Sequence, residues 1–592
     1  MADGALNWKR AFVVTIIAMM GVVCFLTVRR ESITCDEIAH ITAGMTYLQR
    51  NDVRMNMVHP PLMKLLAAIP LTTIGASAKY DDPSWDSLDQ WGLGVASFDH
   101  WGTSSSTLLL LSRVPMIGIT LLLGITVFFV SNNLFGPNAG ILSLVVYASS
   151  PFFLAYGPLV LTDIGIALFS LLTVWTFASL WQCPDMKRAT LFGLSFAGAL
   201  LSKFSSGLLL PVLVIVGILF ARRSPSRPYN LRKTIRFSVI GSGFAIFAVY
   251  LTYAILFRRT DTAWLLSYRY AHSPHPNPAM RALADLLTMH PLLKRLGSPV
   301  ILYGLGVGGT LRGLSRPAYL LGKVYPHGTV AYFPALLLYK MTPGFLFLIL
   351  VVVTLVIWKL VYKRSPIIRE PRVLHHTTAI GVLFAVFMTA AVLSPLDIGV
   401  RHLSVPITAL VVLVGLVVPI SNQLKHRGRL GVIVAVALSA GGCIYSATSA
   451  FPNYIAYFNE FTLGTPTYSI AIDSNLDWGQ GLVLLNEFMH HHGIKTIVLD
   501  DSVESIPEMY MLNGLHEFQC DHGVPSGSQW VAIGANRLAD LPDLTIGLSQ
   551  RWGGCNYLLK YPHWVVAGGA MYVFLTDLSS PTSQVTSGVA SQ

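Results

Sequence analysis

Long apolar stretches alternate with short polar connections through most of the chain. Each stretch has roughly the 17–25 residues that a helix needs to cross a bilayer. The first of them is Ala11–Val28. The others begin near Leu108, Ala139, Asp163, Ala189, Gly207, Ile235, Gly344, Thr377, Leu403 and Leu430. This pattern predicts a polytopic α-helical membrane protein with about eleven spans.

The first stretch has features of a signal peptide, because Lys9 and Arg10 precede it. Its apolar core is too long for a signal peptide, however, and no small-x-small cleavage site precedes Arg29. We therefore expect an uncleaved anchor whose N-terminus lies in the cytoplasm.

Composition supports the membrane class. Of 592 residues, 53% are hydrophobic and 12% charged, and the mean hydropathy is +0.58. That charged fraction is about half of what soluble domains carry. The net charge of +12 does not require a nucleic acid partner, since the basic residues of membrane proteins collect in cytoplasmic loops. The sequence also contains no RNA- or DNA-binding signature, so no nucleic acid is expected.

Basic clusters assign the two sides of the membrane. The strongest clusters lie on alternate connections, at Lys187-Arg188, Arg222–Lys233, Lys363–Arg372 and Lys425–Arg429. The positive-inside rule places these connections in the cytoplasm. With an odd number of spans, the C-terminal region lies outside, together with two large outer loops at 29–106 and 258–343. We therefore expect a multi-pass inner (plasma) membrane protein with these parts on the extracytoplasmic face.

The character of the sequence changes after residue 450. We predict a transmembrane domain at 1–450, an extracytoplasmic mixed α/β domain at 451–578 and a disordered tail at 579–592. The α/β domain is expected to contain an amphipathic helix over Trp478–His492 that Gly493 stops, and short strands at KTIVLDD, QWVAIG and MYVFLT.

The predicted outer regions contain a short apolar segment and two cysteines. Leu62–Leu71, in the first outer loop, is apolar but too short to span, and we expect it to lie in the membrane interface. Cys520 and Cys555 lie in the predicted outer domain and could pair in an oxidising compartment. Their spacing alone leaves that pairing open, because a disulfide also requires a specific geometry.

Titratable side chains gather where the first outer loop leaves the membrane. Asp36, Glu37 and His40 follow the first span closely, and His59 precedes a double proline. Acidic groups are costly at the mouth of a span unless they are paired or wet, so this pattern indicates a functional site. The alternative is that Asp36 and Glu37 only begin a solvated helix, where acids favour the N-terminal dipole.

Further titratable residues lie near other predicted outer ends of spans: Asp163, Lys203, Lys340, Arg401 and His402. Taken singly, Lys203 and Lys340 could be lysines near helix ends that extend to the interface, and Asp163 could be an acid that favours a helix start. Together they place carboxylates and cations on one membrane face. That combination suits group transfer from a phosphate carrier, because a carboxylate can accept a hydroxyl proton while cations stabilise the departing phosphate.

Arg401 is predicted to hold the donor phosphate with help from Lys203, and Lys340 and His402 are further candidate phosphate ligands. Arginine offers a planar fork that can grip two phosphate oxygens. Gly399, two residues earlier, could let a carrier approach the backbone closely. The alternative is that Arg401 pairs with Asp397, four residues back, and merely fixes its loop.

A divalent metal is possible near the same loop. His40 and Asp36 are four residues apart and would share one face of a helix. Two ligands are weak support for a metal, because a closed site needs more of them. No cofactor is therefore predicted with certainty.

Several segments between about residues 30 and 485 carry a family resemblance: TCDEIAH, NDVRMNMVHPPLMK, LTD at Asp163, LLSKFSSG, VAYFPALLLYK, DIGVRHLSVP and DSNLDWGQGL. In their order and topology they resemble the GT-C superfamily of membrane glycosyltransferases. Specifically, they resemble the protein O-mannosyltransferase-like members of glycosyltransferase family 39 and the related lipid A aminoarabinose transferases. The C-terminal region looks unlike the β-trefoil of eukaryotic protein mannosyltransferases, which favours a bacterial member.

The resemblance implies a function and a partner. A sugar would move, with inversion, from a polyprenyl-phosphate carrier to a hydroxyl acceptor on the outer face, in contact with membrane lipids. The acceptor stays open between a protein Ser or Thr, a lipid and a glycan. The resemblance assigns the catalytic base to Asp36, with Glu37 beside it as a second catalytic candidate. Further site residues predicted from the matching segments are His40, Arg54, His59 and Asp163.

The last matching segment and the helix after it leave alternatives open. Asp473, Asn475, Asp477 and Trp478 could contact the sugar or the acceptor. A helix cap with a buried tryptophan is the favoured interpretation. The histidines at 490–492 are expected to form a solvated helix end, with metal binding as the less favoured alternative.

Two other classes of protein explain part of the pattern. A secondary transporter or lipid flippase would also place charges within spans, but transporters usually show an internal repeat and charges near mid-membrane. A membrane-anchored sensor would use the C-terminal domain to bind its ligand, but it leaves Asp36, Lys203 and Arg401 unexplained. A membrane glycosyltransferase is therefore the leading hypothesis.

Overall fold

A computed structural model describes residues 2–222, 231–273, 277–313, 316–362, 368, 370–501, 515–517, 519–520, 523, 530–546 and 550–576. The predicted disordered tail at 579–592 lies outside the described residues. So do parts of two predicted cytoplasmic clusters, at 223–230 and 363–367.

Long apolar helices make up most of the fold. Within the described ranges, nine helical segments are long and apolar enough to cross a membrane: Trp8–Val28 of helix Ala2–Val28, Ser105–Phe135, Asp163–Gln182, Phe204–Arg222, Leu231–Leu256, Pro343–Val361, Pro371–Val392, Val400–Ser421 and His426–Ala450. The polytopic helical class predicted from the sequence is confirmed.

The two other predicted spans also coincide with helices, but shorter ones. Pro137–Ala148 has 12 residues and Met186–Ser202 has 17. At about 1.5 Å of rise per residue, a 12-residue helix covers only part of a bilayer core. The first is followed almost at once by helix Pro151–Tyr156, so that the two together extend the path.

The outer loops predicted at 29–106 and 258–343 are largely helical. The first contains helices Cys35–Arg50, Leu62–Thr73 and Gln90–Trp101. The helix predicted at Leu62–Leu71 is thus present. The second contains helices Thr262–Ala271, Pro278–Met289, Pro291–Arg312 and Tyr332–Lys340, and a hairpin of strands Ala318–Leu320 and Lys323–Tyr325.

The C-terminal region forms the mixed α/β domain that the sequence predicts. Its five-stranded sheet has the spatial order Leu515–Glu517, Ile497–Asp500, Trp530–Gly534, Met571–Leu575, His563–Val566. The first three strands are mutually parallel and the last two pair antiparallel. A separate pair joins Leu544–Ile546 to Gln550–Trp552. Cys520 and Cys555, whose pairing the sequence leaves open, form a disulfide.

The helix of this domain begins later than predicted. It runs over Leu482–His492 and ends at Gly493, whose left-handed backbone (φ 64°) provides the expected stop. The predicted start at Trp478 is wrong, because Gly479 adopts a φ of 92° that a helix cannot accommodate. Residues 473–481 instead form an irregular segment, so Asp473, Asn475 and Asp477 do not cap the helix. The three histidines at 490–492 are exposed in its last turn, as expected.

This irregular segment at 473–481 joins the two parts of the molecule. The backbone N–H groups of Ser32 and Cys35 donate to the carbonyls of Gln480 and Trp478, both at 3.1 Å. The Tyr156 hydroxyl donates to the Ser474 carbonyl at 2.7 Å. The segment is therefore held against the loop that leaves the first membrane helix.

Candidate active site

Four ionisable side chains form a row of alternating charge. The Arg401 guanidinium lies 2.7 Å from the Asp36 carboxylate and 3.7 Å from that of Asp163. The Lys203 ammonium lies 2.6 Å from the other oxygen of Asp163. These residues come from four separate elements, so the tertiary fold brings together side chains that the sequence predicted only to share a face.

Asp36 is the open end of this row. Its side chain is 23% exposed, against 9% for Arg401 and 1% for Asp163. Burial favours the neutral carboxyl, but the charge of the Arg401 guanidinium and its hydrogen bond outweigh burial and hold the pKa of Asp36 below its usual value. Asp36 is therefore ionised at neutral pH.

Arg401 is positioned by the segment at 473–481. It lies in the turn Val400–Leu403 that opens its membrane helix. The Val400 N–H donates to the Asn475 side-chain oxygen at 2.9 Å, and the Ser474 hydroxyl donates to the Ile398 carbonyl at 2.7 Å. A Cβ at Gly399 would collide with the Ser474 hydroxyl. Glycine is thus needed there for this packing, and Ser474 already fills the space through which the sequence suggested that a carrier could approach.

The indole of Trp478 covers one face of Arg401. The ring centre lies 4.3 Å from the guanidinium carbon, a cation–π distance, and Trp478 is only 1% exposed. The favoured expectation of a buried tryptophan is confirmed. Its contact with Arg401 was not expected, because nothing in the spacing of two residues so far apart indicates it.

The alternative pairing of Arg401 with Asp397 is wrong. Asp397 accepts a hydrogen bond from the Thr329 N–H at 2.6 Å, while Arg401 turns to Asp36 and Asp163. Burial raises the pKa of Asp397 to about 6, although the Thr329 N–H opposes that shift.

Glu37 is placed very differently from its neighbour Asp36. It forms an ion pair with Arg113 at 2.6 Å, and both side chains are fully buried. The same carboxylate accepts hydrogen bonds from the backbone N–H groups of Thr34 and Val160, each at 3.0 Å, and from the Thr34 hydroxyl. Burial opposes ionisation, yet Arg113 and these donors hold the pKa of Glu37 below its usual value. Its oxygens are thus fully engaged in structure.

Arg113 is a residue that the sequence interpretation missed. It lies inside the apolar helix Ser105–Phe135 and also donates to the carbonyls of Val28, Glu31 and Ser32, each at 2.9 Å. A lone arginine within a span must find partners, and that signal could have revealed it. Together with Glu37 it fixes the chain between the first membrane helix and Asp36.

Two histidines lie beside the row. The Nδ1 of His40 lies 2.8 Å from the Val160 carbonyl, and its ring meets the His59 ring edge to face with centroids 5.4 Å apart. Burial lowers the pKa of both rings, most strongly for His59, which also faces Lys203, Lys64 and Arg401. Both are therefore neutral at pH 7, and His40 donates its Nδ1 proton to that carbonyl.

Lys64 is a second residue that was missed, although it lies in one of the matching segments. It is fully buried and donates to the carbonyls of Asn56 and His59 at 2.8 and 2.7 Å, and to the Tyr47 hydroxyl at 2.8 Å. Burial lowers the pKa of Lys64 well below its usual value. The ammonium holds the loop that presents His59.

Two predicted site residues make contacts of another kind. The Lys340 ammonium donates to the carbonyls of Ile455 and Asn475 at 2.8 and 2.7 Å, which ties helix Tyr332–Lys340 to the C-terminal region. Arg54 pairs with Asp52 at 2.7 Å and lies between the rings of Trp85 and Trp264. His402, in contrast, has a buried Nε2 with no hydrogen-bond partner among the described residues.

Within the part of the chain that the structure describes, the possible metal pair of His40 and Asp36 gains no third ligand. Among the described residues, the one group of three His, Cys, Asp or Glu ligand atoms close enough to share an ion is Asp500 with Cys520 and Cys555. Those cysteines are joined in a disulfide and cannot act as thiolate ligands. The residues described therefore do not fit a resident metal at either place.

Residues 108–265 match the family profile described as dolichyl-phosphate-mannose-protein mannosyltransferase. The match confirms the predicted GT-C resemblance. The matched segment begins in the helix that holds Arg113 and includes Asp163 and Lys203 of the charged row. No curated protein matches the chain.

Solved structures are also similar to the chain. ArnT from Cupriavidus metallidurans in the apo state has 13% identity and a TM-score of 0.47, over 98% of this chain and 100% of that one. The archaeal oligosaccharyltransferase AglB from Archaeoglobus fulgidus, in complex with an inhibitory peptide and a dolichol-phosphate, has 10% identity and a TM-score of 0.46, over 97% of this chain and 75% of that one.

Proposed function

We propose that the chain is a membrane glycosyltransferase that moves a sugar from a polyprenyl-phosphate carrier to a hydroxyl acceptor. The observation that carries this proposal is the contact between Asp36 and Arg401, which sets an ionised, partly exposed carboxylate beside a cation suited to phosphate. The matching family profile is named for a dolichyl-phosphate sugar donor, which supports the donor class.

Asp36 is the proposed general base. It is ionised and is the most exposed member of the charged row, so an acceptor hydroxyl can reach it. Glu37 is the less suitable of the two adjacent acids, because Arg113, Thr34 and Val160 occupy its oxygens. We therefore assign the base to Asp36 and a structural role to Glu37.

Arg401 is the proposed phosphate ligand. Its Nη1 donates to Asp36, while its Nε has no hydrogen-bond partner among the described residues. An arriving phosphate can therefore share the guanidinium with Asp36. Sharing that charge withdraws stabilisation from the carboxylate, so the pKa of Asp36 rises and it becomes a stronger base once the donor is bound. Lys203 takes part through Asp163, which it neutralises.

The sugar is then transferred in a single displacement at its anomeric carbon. The acceptor oxygen bonds to the anomeric carbon while the bond from that carbon to the phosphate oxygen breaks. The phosphate leaves with the electron pair, stabilised by Arg401, and the hydroxyl proton passes to Asp36. A single displacement inverts the anomeric configuration. His40 and His59, both neutral, can donate or accept hydrogen bonds to the sugar without adding charge.

The proposed site faces the extracytoplasmic side. The alternation of basic connections supports this orientation. The Cys520–Cys555 disulfide supports it independently, because structural disulfides persist in oxidising compartments. The acceptor is a hydroxyl of a protein, lipid or glycan on that face.

The test compares Asp36→Asn with Asp81→Asn, a matched change at an exposed carboxylate that pairs only with Lys79 among the described residues. Purified full-length protein in lipid vesicles receives polyprenyl-phosphate mannose and an extract of envelope acceptors, and released polyprenyl phosphate is measured. Asp36→Asn should lower the rate by about 10²–10⁴, the usual contribution of a general base. Asp81→Asn should match wild type.

Mass spectrometry of glycans and glycoproteins from cells that carry either variant identifies the natural product. A glycan absent with Asp36→Asn and present with Asp81→Asn would name the sugar and the acceptor. Normal transfer by folded Asp36→Asn would remove Asp36 as the base. Movement of the intact donor across the vesicle membrane without transfer would favour the flippase alternative.

A further inference from the structure

A second cationic feature lies away from the charged row. A cavity of about 730 Å³ opens between the C-terminal end of helix Leu231–Leu256 and the first turns of helix Pro291–Arg312. Four basic side chains line it: Arg258, Arg259, Lys294 and Arg295. Its volume is in the range that small-molecule sites occupy.

Most of this charge is uncompensated. Lys294 pairs with Asp261 at 2.7 Å. Arg258, Arg259 and Arg295 form no ion pair with any residue that the structure describes. Three like charges around one cavity repel each other unless an anion joins them. Basic side chains that only reach for the interface have no need to converge in this way.

The rest of the lining is amphipathic. Tyr253, Phe257 and Leu302 form a buried wall, each no more than 3% exposed. Ile255 and Leu296, also part of the lining, are each 55% exposed. Because helix Leu231–Leu256 is a candidate span that ends here, this exposed apolar rim lies at the membrane border. The cavity thus offers cations on one side and a path for hydrocarbon on the other.

Hydrogen bonds connect the cavity to a loop of the candidate active site. The Arg259 N–H donates to the Asn51 carbonyl at 3.3 Å, and the Thr260 hydroxyl donates to Asp52 at 3.1 Å. Asn51 and Asp52 begin the loop that leads to His59. The two features therefore share one loop, although they are lined by different residues.

We propose that this cavity binds the phosphate group of a membrane lipid. Guanidinium forks match phosphate oxygens in pairs, and basic pockets between membrane helices are suited to anionic head groups. The lipid tail would leave over Ile255 and Leu296 into the bilayer. The phosphate could belong to an acidic glycerophospholipid or to a polyprenyl phosphate. The proposal stands independently of sugar transfer, because it concerns binding alone.

Native mass spectrometry of the full-length protein tests it. The protein, released from detergent, is titrated with phosphatidylglycerol in one arm and with polyprenyl phosphate in the other, and bound lipid per chain is counted. Because the proposed active site also holds one polyprenyl phosphate, wild type should retain one phosphatidylglycerol or a second polyprenyl phosphate, and the arm that shows this extra lipid identifies the source. In the triple variant Arg258→Gln/Arg259→Gln/Arg295→Gln, affinity for that lipid should fall about a hundredfold, the scale expected for three surface cations.

A matched control removes three exposed cations elsewhere, with Lys425→Gln/Arg427→Gln/Arg429→Gln. This control should bind as wild type does. An equal loss of lipid affinity in the control would mean that the lipid is attracted to surface cations in general, and this would overturn the proposal. Unchanged lipid binding by the cavity variant would overturn it as well. If the glutamine variant does not fold, Arg258→Lys/Arg259→Lys/Arg295→Lys keeps the charge and removes the forks. Weaker binding by that variant supports the site, and wild-type affinity overturns it.

Discussion

The indole of Trp478 packs against the guanidinium of Arg401, with 4.3 Å between the ring centre and the guanidinium carbon. The tryptophan belongs to the segment at 473–481, and the arginine opens a membrane helix. Through this contact the C-terminal region contributes a residue to the proposed phosphate site.

Trp478→Leu should weaken donor binding. A cation–π contact in a desolvated setting contributes about 2 kcal/mol or more, so KM for the polyprenyl-phosphate sugar should rise at least about tenfold. Trp478→Phe keeps an aromatic face and should recover part of the loss. Steady-state transfer kinetics measure both.

Trp552 provides the matched control, since it is equally buried in the same domain. Trp552→Leu should lower thermal stability while KM stays near the wild-type value. A similar rise of KM in both leucine variants would mean that only the stability of the domain matters, and the positioning role of Trp478 would be abandoned.

Arg401→Lys keeps the charge and loses the planar fork. Charge-assisted hydrogen bonds contribute about 1.5–3 kcal/mol each, so transfer should slow by roughly ten- to a hundredfold. Donor binding should weaken in parallel in an equilibrium titration with polyprenyl phosphate. A folded Arg401→Lys protein with wild-type affinity and rate would contradict the phosphate role.

The sequence predicts the membrane architecture well for a physical reason. A bilayer accepts only long apolar helices, so each span leaves a run of hydrophobic residues that is visible without any tertiary information. The C-terminal strands could also be predicted from local sequence alone, because each is a short alternating or apolar run between turn residues.

The pairings within the candidate site could not be predicted. Asp36 and Arg401 were both identified, but they are 365 residues apart and only the packed fold sets their contact. The sequence also could not show that Asp36 and Glu37 have different roles. Adjacent residues of a helix point in different directions, and only the packed fold shows what each side chain meets. One faces Arg401 and the other faces Arg113 inside the protein.

Glu37→Gln should destabilise the protein rather than remove a base. Breaking a buried ion pair by changing one partner costs about 3–5 kcal/mol, because it leaves the Arg113 charge uncompensated. The thermal midpoint in detergent should fall clearly. Arg113→Met should also lower the midpoint, because it leaves Glu37 and the carbonyls of Val28, Glu31 and Ser32 without their donor. A stable but inactive Glu37→Gln protein would return Glu37 to the catalytic candidates.

The orientation has a direct test. A reporter that functions only outside the cytoplasm, fused after Phe461, should be active, because the alternating basic connections predict that this point lies outside. The same reporter inserted within 425–429 should be inactive. The opposite pair of results would put the charged row on the cytoplasmic face and would contradict the proposed use of an external carrier.

Glu31 should make the stability of the fold depend on pH. It is buried beside Arg113, and neither of its carboxylate oxygens has a hydrogen-bond partner among the described residues. Burial raises the pKa of Glu31 to about 8, with Arg113 opposing the shift and Glu37 adding to it. Between the ordinary carboxyl pKa and this raised value, the folded protein binds a proton that the unfolded chain has released.

This difference in bound protons determines how the stability changes with pH. Because the folded state binds more protons in this window, the free energy of unfolding should decrease as the pH rises from about 5 to 8. The loss should amount to a few kcal/mol. Glu31→Gln cannot ionise and should flatten the profile, so that it exceeds wild type in thermal midpoint above pH 8. Equal slopes for the two proteins between pH 5 and 9 would mean that Glu31 finds a partner for its charge in the folded state.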